Sequence, residues 1–482
     1  MAAPLGVLVF SALLAACSVL LDKSKDQCAT NGECARFGAA FQCVQNVCIN
    51  GGGSDDAGPD GAPSDDGGSD ACVPSPKTKN ADFYNEKCTN SSCIPFDNCA
   101  KTATPTVTCA SLPSPVYLTG SSALRNFVGV VGKLLASDAA PVTVVYQSQG
   151  SCVGVRTIYE ADPTKRVIKD VPSAGGRPAN YAIYFKADRS AQECFLEPDG
   201  TPVTIGISDV YANTCGYTAT TDGSTVTDYF GPVQPMAFVV PASSKQQSIS
   251  AEAAYLAFGT GGGGPWSDPR FFFIRNSSSG TQQMVANSIG VPGNAWWGID
   301  RGGSSGVRDQ LKIIVDQAQA DKAIGILSSD VADVERANLR VLAYQAKEQL
   351  CGYLPDSSAT SRDKANVRDG HYDIWGPSHL FARTVNGAPS AAALAFLSRF
   401  VTPRIPVELL DAEIAGSLVP QCAMNVTRTE EVGPMQSYQP PYSCGCYFDA
   451  KTKGSTSCKS CESASDCPSS APTCNFGYCE VQ

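Results

Sequence analysis

Short apolar segments alternate with helix-like segments over most of the chain, from Ser114 to Arg404. This alternation predicts an α/β fold in which helices cover a largely parallel sheet. Roughly three hundred residues exceed what one hydrophobic core usually holds, so two lobes are expected. The strand-like runs include PVYLTG, PVTVVYQ, PVTIGISD, PMAFVV, FFFIR, AIGIL and LRVLAYQ, and the helix-like runs include SSALRNFVGVVGKLL, SCVGVRTIYEA, TQQMVANSIG, SGVRDQLKIIVDQAQ and SAAALAFLSRFV.

The net charge of the chain is −10 at pH 7. A nucleic-acid partner requires a basic face, so this charge argues against binding of DNA or RNA. It leaves a small anion open as a ligand, because a local site can be positive inside an acidic protein.

The 482 residues include 22 cysteines and 2 histidines. This ratio favours disulfides over zinc and implies an oxidising compartment. Two groups of cysteines with similar spacing predict small disulfide-rich modules, since such short polar stretches cannot bury a core alone. Zinc modules are the alternative, but both stretches lack a C-x2-C pair and a histidine. The groups are Cys28, Cys34, Cys43 and Cys48, and Cys461, Cys467, Cys474 and Cys479.

The amino-terminal segment contains an apolar run, Leu5 to Leu14, that is too short to span a bilayer. The following Leu14-Ala15-Ala16-Cys17 resembles a bacterial lipoprotein signal, in which the cysteine is acylated. An ordinary secretory signal with a chance cysteine is the alternative. The resemblance implies a lipid anchor in the bacterial cell envelope, at the outer membrane, in the periplasm or on the cell surface. With Cys17 acylated, 21 cysteines remain, so one thiol is unpaired or pairs between chains.

These features divide the chain into seven segments. The Gly/Asp-rich stretch at 51–71 has almost nothing to bury and is expected to be a flexible tether. Further cysteines beside the central domain predict disulfide-stapled collars, and Cys458-Lys459-Ser460-Cys461 is interpreted as structural rather than redox-active. The predicted segments are a signal peptide (1–17), a cysteine-rich module (18–50), an acidic linker (51–71), a collar (72–112), the α/β domain (113–405), a second collar (406–457) and a last cysteine-rich module (458–482).

Four of the predicted strands end in small hydroxyl residues, often with glycine, before the next segment. The first turn of a helix has unpaired N–H groups and the positive end of the helix dipole, and glycine lets a ligand approach the backbone. One such junction alone is usually only a helix cap. Four of them in one domain, with a single arginine, favour a site for an anion. The residues are Thr119, Gly120, Ser121 and Ser122; Ser148, Gly150 and Ser151; Ser208 and Asp209; and Arg275, Ser277, Ser278, Ser279, Gly280 and Thr281.

The order of these motifs resembles the periplasmic phosphate-binding proteins of ABC transporters, within the family of type-2 periplasmic binding domains. The motifs are LTGSSAL, VTVVYQSQGSCVGV, VTIGISDV and FFFIRNSSSGTQQM. The resemblance implies a two-lobed α/β fold that captures an oxyanion, with phosphate as the first candidate, for uptake or sensing. It implies an ABC permease as a possible partner, no cofactor and no catalysis. The ligand-binding residues that it implies are Thr119, Ser121, Ser122, Ser151, Asp209, Arg275, Ser279, Gly280 and Thr281.

Two motifs depart from those of that family. Leu124 stands where the opening motif carries a hydroxyl. In the fourth motif, Ser277 stands where the family carries an aspartate that pairs with the arginine, and Ser278 stands where it carries glycine. The missing aspartate changes the charge of the site by one unit, so an oxyanion is better supported than phosphate itself. The cysteine-rich modules loosely resemble those of myxobacterial lipoproteins, which implies no activity.

The carboxylate of Asp209 would repel an anion unless the ligand carries a proton. Phosphate near neutral pH keeps an O–H group that an aspartate can accept, whereas sulfate has none, so such a residue would reject sulfate. The alternative is that Asp209 caps a helix that follows its strand.

Gly302–Gly306 also satisfies G-x-S-x-G, the motif of a serine hydrolase, with Ser304 as nucleophile and His371 or His379 as base. No convincing strand precedes the motif, so a chance match in a Gly/Ser-rich chain is favoured. The loop spacing of the two histidines also disfavours a metal site.

Two further alternatives concern the ligand and the class of protein. Trp296, Trp297 and Trp375 could stack on a sugar, although packing between lobes is favoured. The chain could also be a surface interaction protein that uses a degenerate binding-protein fold as a scaffold.

Overall fold

The computed structural model describes residues 41–44, 47–50 and 107–481, except 172–178, 189, 223, 400 and 403. The predicted signal peptide with Cys17, the acidic linker and the cysteines from Cys72 to Cys99 lie outside these residues. No helix of the described part is long and apolar enough to cross a bilayer.

The chain divides into two compact units, Met1–Ser54 and Asp55–Gln482. In the first unit, strand β1 (Phe41–Val44) pairs antiparallel with strand β2 (Val47–Asn50), and Cys43 lies opposite Cys48. This hairpin belongs to the first predicted cysteine-rich module.

The second unit is built on one sheet, to which the described residues contribute twelve strands. The strands of this unit are β3 (Pro115–Gly120), β4 (Thr143–Ser148), β5 (Val167–Ile168), β6 (Tyr181–Phe185), β7 (Ala191–Phe195), β8 (Thr201–Pro202), β9 (Ile205–Ser208), β10 (Thr225–Pro241), β11 (Ser248–Ser250), β12 (Phe272–Ile274), β13 (Ile299–Asp300), β14 (Ile324–Ser328), β15 (Leu339–Val341), β16 (Ala343–Gln345), β17 (Trp375–Val385), β18 (Ala388–Pro389), β19 (Val426–Thr427), β20 (Gln436–Ser437), β21 (Thr473–Asn475) and β22 (Tyr478–Glu480). The large sheet runs β13-β12-β14-β10-β17-β9-β3-β4-β6-β7, with β15 paired to β10 and β18 paired to β17.

Helices flank this sheet. They are α1 (Arg125–Ala136), α2 (Ser151–Tyr159), α3 (Ala251–Thr260), α4 (Gly280–Ile289), α5 (Ser304–Lys312), α6 (Gln317–Ala320), α7 (Ser329–Val334), α8 (Ala365–Arg368), α9 (Ala391–Leu397), α10 (Val407–Ala415) and α11 (Gly445–Lys453).

The first lobe is the part of the sheet formed by β9, β3, β4, β6 and β7. Strand β3 is parallel to both β4 and β9, whereas β6 is antiparallel to β4 and β7. Val116 and Leu118 of β3 pack with Phe127 of α1 in a core that also contains Leu409 and Ala412 of α10. The core of this lobe therefore continues past residue 405, where the sequence placed the end of the α/β domain.

The second lobe is the part of the sheet formed by β13, β12, β14 and the far end of β10. Strand β12 is parallel to β13 and β14, and β14 is antiparallel to β10. Val307 and Leu311 of α5 pack against Val239, Phe273 and Leu327 of the strands.

Two long antiparallel strands, β10 and β17, connect the lobes. The first part of β10 pairs with β17 from Thr225 to Phe230, and its last part pairs with β14 from Met236 onward. The register shifts between Phe230 and Val233, where Pro232 has no N–H to donate. Both lobes therefore share one continuous sheet.

The predicted two-lobed α/β class is confirmed, but the expectation of a largely parallel sheet is wrong. The crossing strands are antiparallel, and the short connection between β6 and β7 allows only an antiparallel pair. The run SGVRDQLKIIVDQAQ forms two helices rather than one, because the Asp316 carboxylate accepts the N–H of Gln319 and starts α6.

Six disulfides lie within the described residues. Cys109 pairs with Cys194 inside the first lobe rather than within a separate collar, and Cys351 is an exposed free thiol. The pairs are Cys109–Cys194, Cys152–Cys215, Cys422–Cys444, Cys446–Cys458, Cys461–Cys474 and Cys467–Cys479.

The last two disulfides hold the C-terminal module around the hairpin of β21 and β22. The sulfurs of Cys461, Cys467 and Cys474 lie within 4.8 Å of one another, but each belongs to a disulfide and cannot serve as a thiolate ligand for zinc. Cys458 and Cys461 pair with different partners, so their C-x2-C motif forms no redox disulfide.

Candidate functional site

The Asp209 carboxylate lies at the centre of the site, directly after strand β9. The backbone turns here because the Ser208 hydroxyl accepts the N–H of Val210 (3.1 Å) and donates to the carbonyl of the same residue (2.8 Å). No α-helix starts at this point: a 3-10 turn over Ala212–Cys215 follows, and its capping residue is Tyr211. Asp209 is therefore not the cap of a helix that follows β9. Its side chain is only 3% exposed, so a role other than capping must account for a buried carboxylate at this position.

Two serine hydroxyls from neighbouring strand ends donate to this carboxylate. Ser121, after β3, lies 2.5 Å from Oδ1, and Ser151, the first residue of α2, lies 3.2 Å from Oδ2. The Tyr146 hydroxyl donates to the carbonyl of Ser121 and fixes that turn. The first three predicted junctions thus meet at one carboxylate, as expected for carboxyl ends of adjacent strands.

The disulfide Cys152–Cys215 links two of these junctions. Cys152 follows Ser151 at the start of α2, and Cys215 ends the 3-10 turn after Asp209. The covalent bond holds the first turn of α2 beside the end of β9.

The fourth junction approaches this group from the second lobe. The N–H of Cys152 donates to the carbonyl of Ser278 at 3.1 Å. An ideal Cβ at Gly280 would lie 2.4 Å from Ser151 Oγ and 2.7 Å from Asp209 Oδ2. Only glycine allows the start of α4 to come this close, which explains its presence at this position.

Buried donors surround the start of α4. Ser279, which precedes the helix, is 1% exposed, and its hydroxyl has no hydrogen-bond partner within the described residues. Thr281 is equally buried. Buried polar groups are nearly always paired, so an unpartnered hydroxyl at a helix start suits a ligand that accepts hydrogen bonds.

Arg275 is 2% exposed and is held by main-chain and side-chain groups of its own lobe. Its Nε donates to the carbonyl of Gly302 at 2.7 Å, and its Nη1 donates to the hydroxyl of Ser304 at 2.6 Å. Its N–H donates to the side chain of Gln282 at 2.8 Å. These contacts fix the orientation of the one cation that the sequence assigned to the site.

The serine of the G-x-S-x-G motif contacts Arg275 in this structure. Ser304 starts α5 and accepts from the guanidinium, while His379 Nδ1 lies 2.7 Å from the carboxylate of Asp228. The ring of His371 lies 5.1 Å from that of Tyr353. Within the described contacts neither histidine is bonded to Ser304.

Two other predicted residues have structural partners at the ends of their elements. The Thr119 hydroxyl donates to the carbonyl of Gln147 at 2.9 Å and contacts the side chain of Gln149 at 3.2 Å. Ser122 accepts the N–H of Arg125 through its carbonyl. Thr119 therefore stabilises the pairing of β3 with β4, and Ser122 supports the start of α1.

Two acidic residues that the sequence did not indicate lie close enough to be affected by the charge of Asp209. Burial raises the pKa of Glu431 to about 8 and that of Asp330 to about 6, and the charge of Asp209 contributes to both shifts. The Glu431 carboxylate accepts the N–H of Tyr211 at 3.2 Å, and Asp330 accepts from Gln234 at 3.2 Å. At neutral pH Glu431 is mostly protonated, so it adds little negative charge.

The three tryptophans, for which packing was favoured over a sugar platform, are buried or half-buried. Trp297 and Trp375 are buried, and Trp296 stacks on Phe258 with ring centres 4.5 Å apart. They stabilise the second lobe and the crossing strands.

Part of the chain is similar to solved structures of phosphate-binding proteins. A Clostridium perfringens protein, assigned as a phosphate ABC transporter substrate-binding protein and solved with bound phosphate, is 12% identical; the match covers 64% of this chain and 99% of that chain, with a TM-score of 0.43. An ABC-type phosphate transport receptor from Vibrio cholerae is 13% identical over 64% of this chain and 100% of that chain, with a TM-score of 0.39. No protein-family model matches the sequence, and no curated protein matches it. Likeness this distant carries no argument about the ligand of this chain.

Proposed function

We propose that the α/β domain captures a protonated oxyanion between its two lobes, with inorganic phosphate as the favoured ligand. The observation that carries this proposal is the buried carboxylate of Asp209, which accepts from Ser121 and Ser151 and touches the start of α4 in the opposite lobe. A buried carboxylate among hydroxyls and helix starts suits a ligand that has both acceptor oxygens and one proton to donate.

In the proposed complex, each part of the site has a distinct role. The hydroxyl of Ser279 donates to a ligand oxygen, together with N–H groups at the starts of α2 and α4, while Ser121 and Ser151 keep donating to Asp209. Asp209 accepts the proton of the ligand, and the charge of Arg275 offsets the negative charge of the anion. Hydrogen bonds to charged groups contribute about 1.5–3 kcal/mol each, so a few of them suffice for tight binding.

The role of Asp209 predicts which oxyanions are rejected. Sulfate brings no proton at neutral pH, so its oxygen would face the carboxylate with no hydrogen bond between them. An unpaired buried acceptor costs about 1–3 kcal/mol, or roughly 5- to 150-fold in affinity, before charge repulsion is counted.

Titration calorimetry of the full-length protein in detergent against phosphate and sulfate tests the proposal. Phosphate is expected to bind with one-to-one stoichiometry and sulfate at least tenfold more weakly. Asp209→Asn, which can donate to a sulfate oxygen, is expected to narrow or reverse that preference. Asp188→Asn, the same change at an exposed carboxylate of the first lobe, is the matched control and should leave both affinities unchanged.

Absence of heat with phosphate, sulfate, molybdate and sugars would overturn the proposal. That outcome would favour the alternative in which the fold is a scaffold for contacts with other macromolecules. An Arg275→Ala variant that binds phosphate as well as the wild type would overturn the site while leaving a receptor role open.

Two further parts of the proposal rest on the sequence. We infer that Cys17 carries the lipid anchor and that the 51–71 linker separates the receptor from the membrane. Mass spectrometry of the amino-terminal peptide tests the anchor, since an unmodified Cys17 would exclude it. Delivery of the anion to an ABC permease is a separate proposal, which loss of phosphate uptake on deletion of the gene would support and unchanged uptake would contradict.

A further inference from the structure

A cavity that is lined by none of the anion-site residues lies where the bulge of β10 meets α10 and the segment after it. Its volume is about 240 Å³. Phe230, Tyr438 and Tyr442 contribute aromatic wall, Pro440 contributes further apolar surface, and Glu413 of α10 contributes a carboxyl group. Neither Asp209 nor Arg275 is among the residues that line this cavity.

The Glu413 carboxyl is unusual because it is buried without a partner. The residue is 2% exposed, and its Oε2 is shielded from solvent with no hydrogen-bond partner within the described residues. Burial raises the pKa of Glu413 well above its usual range. Burial without a partner favours the protonated, neutral form of a carboxyl group. A cation placed beside the group favours the ionised form instead.

The residues described as lining the cavity do not supply that cation, because their other titratable groups are the phenols of Tyr438 and Tyr442. On α10 itself, Asp411 is already bonded to Lys451 and to the Tyr447 hydroxyl.

The aromatic wall defines the chemistry that would complement Glu413. Phe230 is 48% exposed and Tyr442 is 39% exposed, so both rings are accessible to a small molecule. Aromatic faces attract organic cations, and a carboxylate supplies the counter-ion. One carboxylate among rings and prolines is a poor set of ligands for a metal ion, which needs several oxygens. The volume is below the roughly 300–1,000 Å³ typical of pockets for drug-sized ligands, so the ligand must be small.

We propose that this cavity binds a small organic ammonium ion, with Glu413 as its counter-ion and Phe230, Tyr438 and Tyr442 as its aromatic wall. The proposal is independent of anion binding between the lobes.

Calorimetric titration of the full-length protein with choline, butylammonium and the neutral 3,3-dimethylbutan-1-ol tests the proposal. The neutral alcohol has nearly the shape of choline without its charge. At least one of the two cations is expected to bind at least tenfold more tightly than the alcohol. If neither cation binds, or if neither binds more tightly than the alcohol, the proposal is overturned.

Proton release gives a second and more specific measurement. A cation that binds beside a protonated carboxyl stabilises the ionised form, so up to one proton leaves for each cation bound. Titrations at pH 7 in two buffers of different ionisation enthalpy report that number, and affinity should rise with pH until Glu413 is ionised in the free protein. Binding with no proton exchange and no pH dependence would contradict the role of Glu413.

Substitutions distinguish the effect of the Glu413 carboxyl group from a general effect on the structure. Glu413→Gln keeps the size of the side chain and is expected to weaken cation binding at least tenfold and abolish proton release. Glu408→Gln removes an exposed charge from the same helix and should change neither. Tyr442→Leu keeps an apolar wall but removes a surface ring, and a loss of a few-fold is expected. Unchanged affinity in both Glu413→Gln and Tyr442→Leu would exclude this cavity as the site.

Discussion

The contact of Gly280 with the first lobe gives the sharpest prediction, because one added methyl group should hold the two lobes apart. In Gly280→Ala the new Cβ would lie 2.4 Å from Ser151 Oγ, 2.7 Å from Asp209 Oδ2 and 2.8 Å from Asp209 Cβ. Real Cβ contacts are not this short, so either the carboxylate or the start of α4 must move. Both belong to the proposed anion site.

The magnitude of the effect follows from the cost of overpacking, which is typically 1–3 kcal/mol. Gly280 is not among the residues with positive φ, so alanine adds no backbone strain, and it favours the helix by up to about 1 kcal/mol. The cost therefore falls on lobe closure rather than on the stability of each lobe. We expect phosphate binding to weaken by roughly 5- to 150-fold, since each 1.4 kcal/mol is a factor of ten.

Calorimetry with phosphate measures this change, and small-angle scattering of the phosphate-bound protein measures lobe separation. Gly262→Ala is the matched control, because its added Cβ would have no neighbour nearer than 3.7 Å. The control should bind as the wild type does. If Gly280→Ala binds phosphate with unchanged affinity and radius of gyration, the contact of α4 with Asp209 plays no part in anion capture.

Three further predictions concern groups around the site. Ser304→Ala removes the acceptor that orients the Arg275 guanidinium at 2.6 Å, so phosphate should bind about tenfold more weakly, and unchanged calorimetric affinity would contradict that role. Because the pKa of Glu431 is about 8 in the native state and 4.5 without burial, the native state keeps a proton that the unfolded state has lost between these pH values. The wild type should therefore lose free energy of unfolding as pH rises from about 4.5 to about 8, Glu431→Gln should lose less, and parallel urea-unfolding profiles would contradict this. Replacing both Cys152 and Cys215 by serine opens a loop with a sequence separation of 63 and should cost about 4 kcal/mol in urea unfolding, whereas a loss below about 1 kcal/mol would show that the disulfide constrains the chain little.

Much of the proposed site was visible in the sequence because each part is local. Ser121, Ser151 and Asp209 each follow an apolar strand within three residues, and Gly280 begins a helix. Parallel strands bring their carboxyl ends to one edge of a sheet, so the residues that follow these strands are expected to lie close together. The sheet itself was less predictable, since nothing local showed that β10 and β17 would cross between the lobes as antiparallel strands.

For other residues near the site, the neighbouring sequence did not indicate their contacts in the folded protein. Glu431 lies 220 residues from Tyr211, whose N–H it accepts, and its segment is polar and turn-rich. Ser304 was noticed for a different reason, as part of a G-x-S-x-G match, and its contact with Arg275 depends on where α5 packs.

The sequence by itself determined the strands, the polar junctions at their ends and the presence of one arginine among them, because periodicity and capping depend on neighbouring residues. Only the tertiary structure decided that Asp209 accepts from two hydroxyls rather than capping a helix, that Gly280 is needed for contact between the lobes, and that Glu431 lies near the site with a raised pKa. These properties arise from distances between residues far apart in the chain and from burial. Both are fixed only when the two lobes and the C-terminal segment pack together.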